Sequence, residues 1–225
     1  MRKRHALSTR IWHWVNALSV IVLFMSGLNI SNAHRFLYWG EWGFSPEQAW
    51  LAVPRFPGWM TIPGRYSLSA ARDWHILFAW VFALSLLVFM LAALRNGHFR
   101  RDLVTRWAEW KPAAVLGDIR AHLKGHFDVA GSKFNFLQRA AYGAVTFILL
   151  PGMIFTGMAI SPGMDAVWPW LLDIFGGRQS ARSVHFLCAW ALFAFFVLHV
   201  ALVLLSGPLK QMRDMITGGT DDASA

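Results

Sequence analysis

The sequence predicts an all-α integral membrane protein, a four-helix transmembrane bundle whose loops carry interfacial helices. Three observations predict it. The chain has 225 residues, 56% hydrophobic and only 15% charged, and four of its uncharged runs are long enough to cross a hydrocarbon core of ~30 Å at ~1.5 Å per residue. Tryptophans stand at the ends of those runs (Trp12, Trp14, Trp74, Trp168, Trp170), as an interfacial belt requires. The basic residues are unevenly shared: of twenty-one Lys and Arg, four precede the first run, nine lie from Arg95 to Arg139 and two follow the last run. By the positive-inside rule that distribution puts both termini in the cytoplasm and the other two loops outside, which for a bacterial chain means the inner membrane. The net charge of +9 is explained by this topology. Membrane lipid is the expected surroundings, and no nucleic acid partner is expected.

Taken in order, the basic start Met1-Arg2-Lys3-Arg4-His5 leads into a first span at 11–30, with no small-residue cleavage site after it. Residues 31–73 form an outer loop rich in Trp, Pro and Gly, too broken for a span and aromatic enough to fold back on the interface or meet a partner. The second span covers 74–94. The basic stretch 95–136 holds amphipathic pieces around Leu103–Trp110 and Ile119–Leu123 that suit the membrane surface. The third span is 138–160, with a kink expected at Pro151-Gly152. A short loop, 161–181, precedes the fourth span at 184–205, and a short tail ends the chain, which reads as one membrane domain over 1–225. The single cysteine, Cys188, lies inside a span, so no disulfide, cysteine-held iron–sulfur cluster or CxxCH haem attachment forms within the chain.

Four of nine histidines fall at or inside spans: His13, His75, His185 and His199. An ionisable side chain in a membrane faces the protein interior and has a partner there. His185 and His199 are fourteen residues apart, nearly four turns, and so project from nearly one helix face at depths ~21 Å apart. His13 matches the depth of His199 and His75 that of His185, one pair toward each membrane surface. Two imidazoles fill both axial positions of a haem iron and leave a centre suited to electron transfer. A hydrogen-bonded polar residue is the better reading of one such histidine; four in two depth-matched pairs favour ligation of two b-type haems. His122 and His126 have i,i+4 spacing, but no further ligand pattern surrounds them, and they read as surface residues.

Two patterns accompany the histidines. Arg10, Arg72 and Arg182 each stand three residues before one of them, where a guanidinium reaches a haem propionate or anchors at the interface. Gly27 follows His13 by fourteen residues, and Gly143 and Gly157 are fourteen apart. At these positions a missing side chain makes room for a macrocycle or for close helix packing.

The segments Arg10-Ile11-Trp12-His13-Trp14 with Ser26-Gly27, Arg72-Asp73-Trp74-His75 with Trp80, and His185 with His199 resemble the di-haem cytochrome b subunits of nickel-iron hydrogenases, formate dehydrogenases and thiosulfate reductases, the bacterial cytochrome b561-like family. The resemblance covers all four spans and implies the pairs His13 with His199 and His75 with His185. Lys133-Phe134-Asn135-Phe136-Leu137-Gln138 resembles that family's K-x-N-x-G-Q stretch beside the quinone site. It implies that Asn135 and Gln138 hydrogen-bond a quinone, although Leu137 replaces the glycine and Asn135 is equally suited to capping a helix. The aromatic outer loop is similar to the thiosulfate reductase branch, which implies a periplasmic molybdopterin partner; a hydrogenase-type partner is the alternative. Two other readings stay open: a stand-alone oxidase of a small periplasmic oxidant, and a colourless proton-relaying transporter or scaffold. The carboxylate-free spans count against the last.

Overall fold

The structure, a computed structural model, describes residues 6–123 and 135–219. Its four long apolar helices fit a transmembrane bundle: α1 (Leu7–Ala33), α2 (Leu68–Arg95), the third span (Phe136–Ile160) and a helix at Arg178–Leu205. The first, second and fourth start a turn or more before the uncharged run that predicts them, because first turns such as Ser8-Thr9 and Arg178-Gln179-Ser180 continue the helix into the interface, and the third matches its run within two residues. Leu77, Leu84, Val88 and Leu91 form an exposed stripe along α2, the face a lipid-contacting helix needs.

Between α1 and α2 the loop pairs two short strands, β1 (Phe36–Leu37) and β2 (Leu51–Ala52), antiparallel with Phe36 opposite Ala52. After α2 come α3 (His98–Asp102), a 3-10 turn (Trp107–Trp110) and α4 (Pro112–Leu123). Gly97 in the left-handed region (φ 66°) turns the chain from α2 into α3, a conformation glycine adopts without a Cβ penalty. Trp107, Trp110, Leu116 and Ile119 are exposed, as expected of segments lying on a membrane surface. His126 and the Lys133-Phe134 part of the K-x-N motif lie outside the described residues.

The third span is not one regular helix. α5 (Phe136–Ala144) gives way to a π-helical turn (Val145–Leu149) before α6 (Leu150–Ile160). The expected kink at Pro151 thus takes the form of a widened turn on its N-terminal side, where the proline ring crowds the carbonyl four residues back. α7 (Pro162–Asp165) and α8 (Trp170–Phe175) fill the loop between the third and fourth spans, and α9 is the fourth span, Arg178–Leu205. The short tail contains α10 (Pro208–Thr217). Pro208 starts it, and Leu209, Met212 and Ile216 make a stripe at helical spacing that is exposed, an interfacial helix too short for its pattern to show as a span.

The residues fall into two compact units. One comprises 13–86 and 150–194 and contains the loops that follow the first and third spans. In it Asn29, fully buried on the last turns of α1, donates to the carbonyls of Pro63 (3.0 Å) and Arg65 (2.9 Å) and accepts from the Ser67 N–H (3.4 Å). Asn32 clasps the backbone of Phe56 in both directions. On α9, Ser183 accepts from the Trp50 indole (3.0 Å) and donates to the Tyr38 carbonyl (2.6 Å), while Ser180 Oγ accepts from the Gly40 N–H. Gly177 (φ 104°) allows this approach: a Cβ there would lie 2.6–2.8 Å from Glu41. A small core of Ala159, Leu171 and Ala181 seats α8 against α6 and α9.

The other unit comprises the described residues up to Trp12, from Leu87 to Leu149 and from Phe195 on. Trp12 stacks on Phe89 (4.0 Å), and Arg10 donates to the Ile216 carbonyl of α10 (2.5 Å). Arg139 pairs with Glu109, and Asp118 accepts from the Leu137 N–H. The Arg106 N–H bonds Glu109 (2.6 Å), and this bond first, then Arg139, holds the Glu109 carboxyl below its ordinary value. A lowered carboxyl pKa stabilises the fold fully above the ordinary value of 4.5 and loses that contribution as pH falls through the folded value. Glu109→Gln is therefore expected to lower thermal stability at neutral pH and to flatten its decline on acidification; an unchanged acid limb in a melting series would count against the assignment.

Candidate haem site

The site is built from two histidines on two helices. His75 sits two turns into α2 and His185 two turns into α9, and their rings face each other with centroids 6.3 Å apart and planes at 62°. Two metal–nitrogen bonds of ~2 Å, added to the distance from each ring nitrogen to its own centre, span about this separation. Both imidazoles are held at Nδ1. The His75 Nδ1 lies 2.9 Å from Ser26 Oγ on α1, and the His185 Nδ1 lies 2.8 Å from Thr156 Oγ1 on α6. Beside each hydroxyl is a glycine whose missing side chain faces the same ring. A Cβ on Gly27 would stand 3.6 Å from His75 Cε1, and one on Gly157 3.4 Å from His185 Cε1. Either Cβ would stand in ordinary van der Waals contact with its ring, so these two glycines border the imidazoles themselves rather than an open space.

The arginines are arranged toward the same end. Arg182 donates through Nη2 to the Phe36 carbonyl (2.7 Å), and its Nε is buried with no partner among the described residues. Arg72 is exposed at the start of α2. His34, just past α1, is held below the ordinary histidine value by burial, then by the charges of Arg182 and Arg72. A buried guanidinium nitrogen with nothing to bond is what a propionate would satisfy. Among the described residues no three His, Cys, Asp or Glu side chains cluster as a metal site. A two-ligand arrangement of this kind suits an iron whose remaining positions are filled by a porphyrin.

The remaining site residues are placed as follows. His13, in the same unit as His75, stands edge-on to Trp14 (5.0 Å). His199, in the other unit, stacks on Phe195 (5.9 Å, 16°), which meets Tyr142 edge-on. A Cβ on Gly143 would meet open space, and Arg10 Nε is buried with no partner among the described residues. Asn135 and Gln138 form a reciprocal capping box at the start of α5: Asn135 Oδ1 accepts from the Gln138 N–H (2.9 Å) and Gln138 Oε1 from the Asn135 N–H (3.3 Å). Asn135, Phe136 and Arg139 line a cavity of about 300 Å³ with Glu109, Gly117 and Asp118. The sequence does not single out Thr156, the function of Ser26, or His34; the one signal is that a hydroxyl residue precedes a glycine on both the first and third spans.

Four apolar spans with a facing imidazole pair, a guanidinium whose Nε is buried without a partner among the described residues, and glycines against the rings suit a membrane cytochrome of the b type. A family model described as Prokaryotic cytochrome b561 matches residues 4–218, and the chain belongs to that family. It is thus a multi-pass membrane haem protein of electron transport. A protein of Azospira oryzae named as a protein-methionine-sulfoxide reductase subunit, YedZ1, is 30% identical over 201 residues, covering 87% of each chain. A protein of Cupriavidus necator named as a Ni/Fe-hydrogenase B-type cytochrome subunit is 24% identical over 229 residues, covering 93% of this chain and 82% of its own. Escherichia coli cytochrome YdhU is 24% identical over 221 residues, 95% of this chain and 72% of its own. No solved structure matches.

Proposed function

We propose that this chain, a single membrane domain, is a di-haem cytochrome b that moves electrons between a periplasmic oxidoreductase subunit and the quinone pool of the bacterial inner membrane, both termini lying in the cytoplasm. The observation that carries the proposal is the His75–His185 pair at 6.3 Å. Haem bound there supplies a one-electron couple without an open coordination position. His75 and His185 hold the outer haem, with Arg72 and Arg182 at its propionates and Gly27 and Gly157 bordering the ligands. His13 and His199 hold the inner haem, with Arg10 and Gly143 beside it. The fourteen-residue interval between the two histidines of α9 supports that second pair.

The outer loops form the docking face. Asn29, Asn32, Ser180 and Ser183 hold them against α1 and α9, next to the outer pair. The identity to a relative named as a reductase subunit exceeds that to the hydrogenase cytochromes, which favours a reductase-type, molybdopterin-bearing partner. Quinone exchanges electrons and protons in the cavity at Asn135 and Arg139. Beside it the capping box of Asn135 and Gln138 fixes the start of α5, and these two residues are the ones that would hydrogen-bond a quinone carbonyl.

The test is the full chain purified in detergent and reconstituted with quinol. Two b-type haems per chain, reduced by quinol and reoxidised by an acceptor confined to the outer side, are expected. Colourless protein, a single haem, or haems that quinol cannot reduce would refute the reading.

A further inference from the structure

Nothing in the ligand pair itself says which ring nitrogen faces the iron; the hydroxyls of two other helices do. A hydroxyl has one proton to give. Ser26 Oγ lies 2.7 Å from the Val22 carbonyl and 3.1 Å from that of Leu23, and both of these are pure acceptors, so its proton goes to the backbone of its own helix. Toward His75 Nδ1, at 2.9 Å, the oxygen is then left its lone pairs, so the ring is the donor, and the Leu23 carbonyl is a second acceptor for the same ring. Thr156 repeats the arrangement on α6. Its proton goes to the Gly152 carbonyl (2.6 Å), with that of Met153 at 3.3 Å, and its oxygen accepts from His185 Nδ1 at 2.8 Å, beside the Met153 carbonyl, which also bonds that ring.

Back-bonding of a helical Ser or Thr to the carbonyl one turn earlier is common in membrane helices and by itself means little. Here two such hydroxyls each meet an imidazole, on different helices, each followed by a glycine that borders the same ring. Ser26 and Thr156 are both fully buried, so water does not compete for these bonds.

We infer that Ser26 and Thr156 are the positioning residues of the outer haem site, fixing His75 and His185 as the Nδ1–H tautomer and presenting both Nε2 atoms to one iron. The inference rests on the ligand assignment proposed above. A neutral hydroxyl is a weaker acceptor than the carboxylate often found behind a metal-bound histidine. It orients the ring and lends it basicity without turning it into an imidazolate, and the two ligands are matched because their supports are alike. Removing either acceptor makes the imidazole a poorer donor to ferric iron, so the oxidised state loses more than the reduced one and the potential rises.

The full-length protein is compared with Ser26→Ala and Thr156→Val, and with the conservative pair Ser26→Thr and Thr156→Ser. Expected for the first two is roughly tenfold weaker haem retention, an upward shift of one midpoint potential, and a changed low-spin EPR signature for that haem while the other is unmoved. The conservative variants restore the wild-type values. Unchanged potential and EPR signature in Ser26→Ala and Thr156→Val would overturn the inference, as would a mere loss of haem with the remainder spectrally wild type. Should those variants fail to fold, electron–nuclear double resonance on the wild-type protein reads the tautomer directly: exchangeable Nδ1 protons on both ligands support the inference, and bare Nδ1 atoms overturn it. Failure of the ligand assignment is separately visible, since His75→Ala and His185→Ala would then leave every haem signal untouched.

Discussion

His185→Ala is expected to yield protein with half the wild-type haem, and His75→Ala to lose the same half. The two rings stand with centroids 6.3 Å apart, so both would hold one shared iron. Removal of either would leave a single imidazole and a hole in place of the other. A one-sided iron in that hole binds weakly and is washed out during purification. The other haem should persist, because its proposed ligands His13 and His199 belong to other positions on α1 and α9. Haem per chain from an extracted-haem assay, with the reduced spectrum of what remains, checks this. Loss of all haem from either variant, or of different haems from the two, would sink the pairing. The reciprocal pair, His13→Ala and His199→Ala, should remove the haem that the first two variants keep.

The second large effect is expected at Asn29, far from any ligand role. Its amide makes three bonds to the loop that runs from α1 to α2, and Asn29 itself is fully buried. Asn29→Ala removes all three, stranding the Arg65 carbonyl and the Ser67 N–H and leaving the Pro63 carbonyl only Thr61 Oγ1, a loss of about 3 kcal/mol at ~1 kcal/mol per bond. That corresponds to roughly a hundredfold rise in the population of the opened loop. Limited proteolysis from the outer side of oriented vesicles should cut within residues 34–67 far faster than in the wild type, while the haem content stays near normal. Unchanged cleavage would show that the strands and the α9 contacts hold the loop without this clasp.

The four spans are legible because lipid demands uninterrupted apolarity, a signal too coarse to miss. Their ends are not, because the first turns of α1, α2 and α9 are polar and helical at once. The loop strands β1 and β2 are two residues each, too short for alternation to register. α10 hides because four apolar residues scattered through a ten-residue helix look like a solvated tail. The π-helical turn could be anticipated only as a proline effect, since the same residues in an α-turn have the same composition. At the candidate site the residue types and spacing pointed to the histidines, and the structure brings His75 and His185 together. Ser26 and Thr156 could not be read the same way, because a hydroxyl in a membrane helix is ordinary until another helix brings an imidazole to it. For Asn135 and Gln138 the structure displays the capping role, one of the two readings their spacing allows.

Arg10 donates to the last-turn carbonyl of Ile216, and this contact matters to anyone handling the protein. A purification handle fused beyond Gly219 leaves the contact alone, whereas a chain cut back to Ser206 deprives Arg10 of its anchor. Expression vectors for this chain should therefore carry their appendages after the final helix, and shortened versions should be checked for their colour before any kinetic result from them is believed.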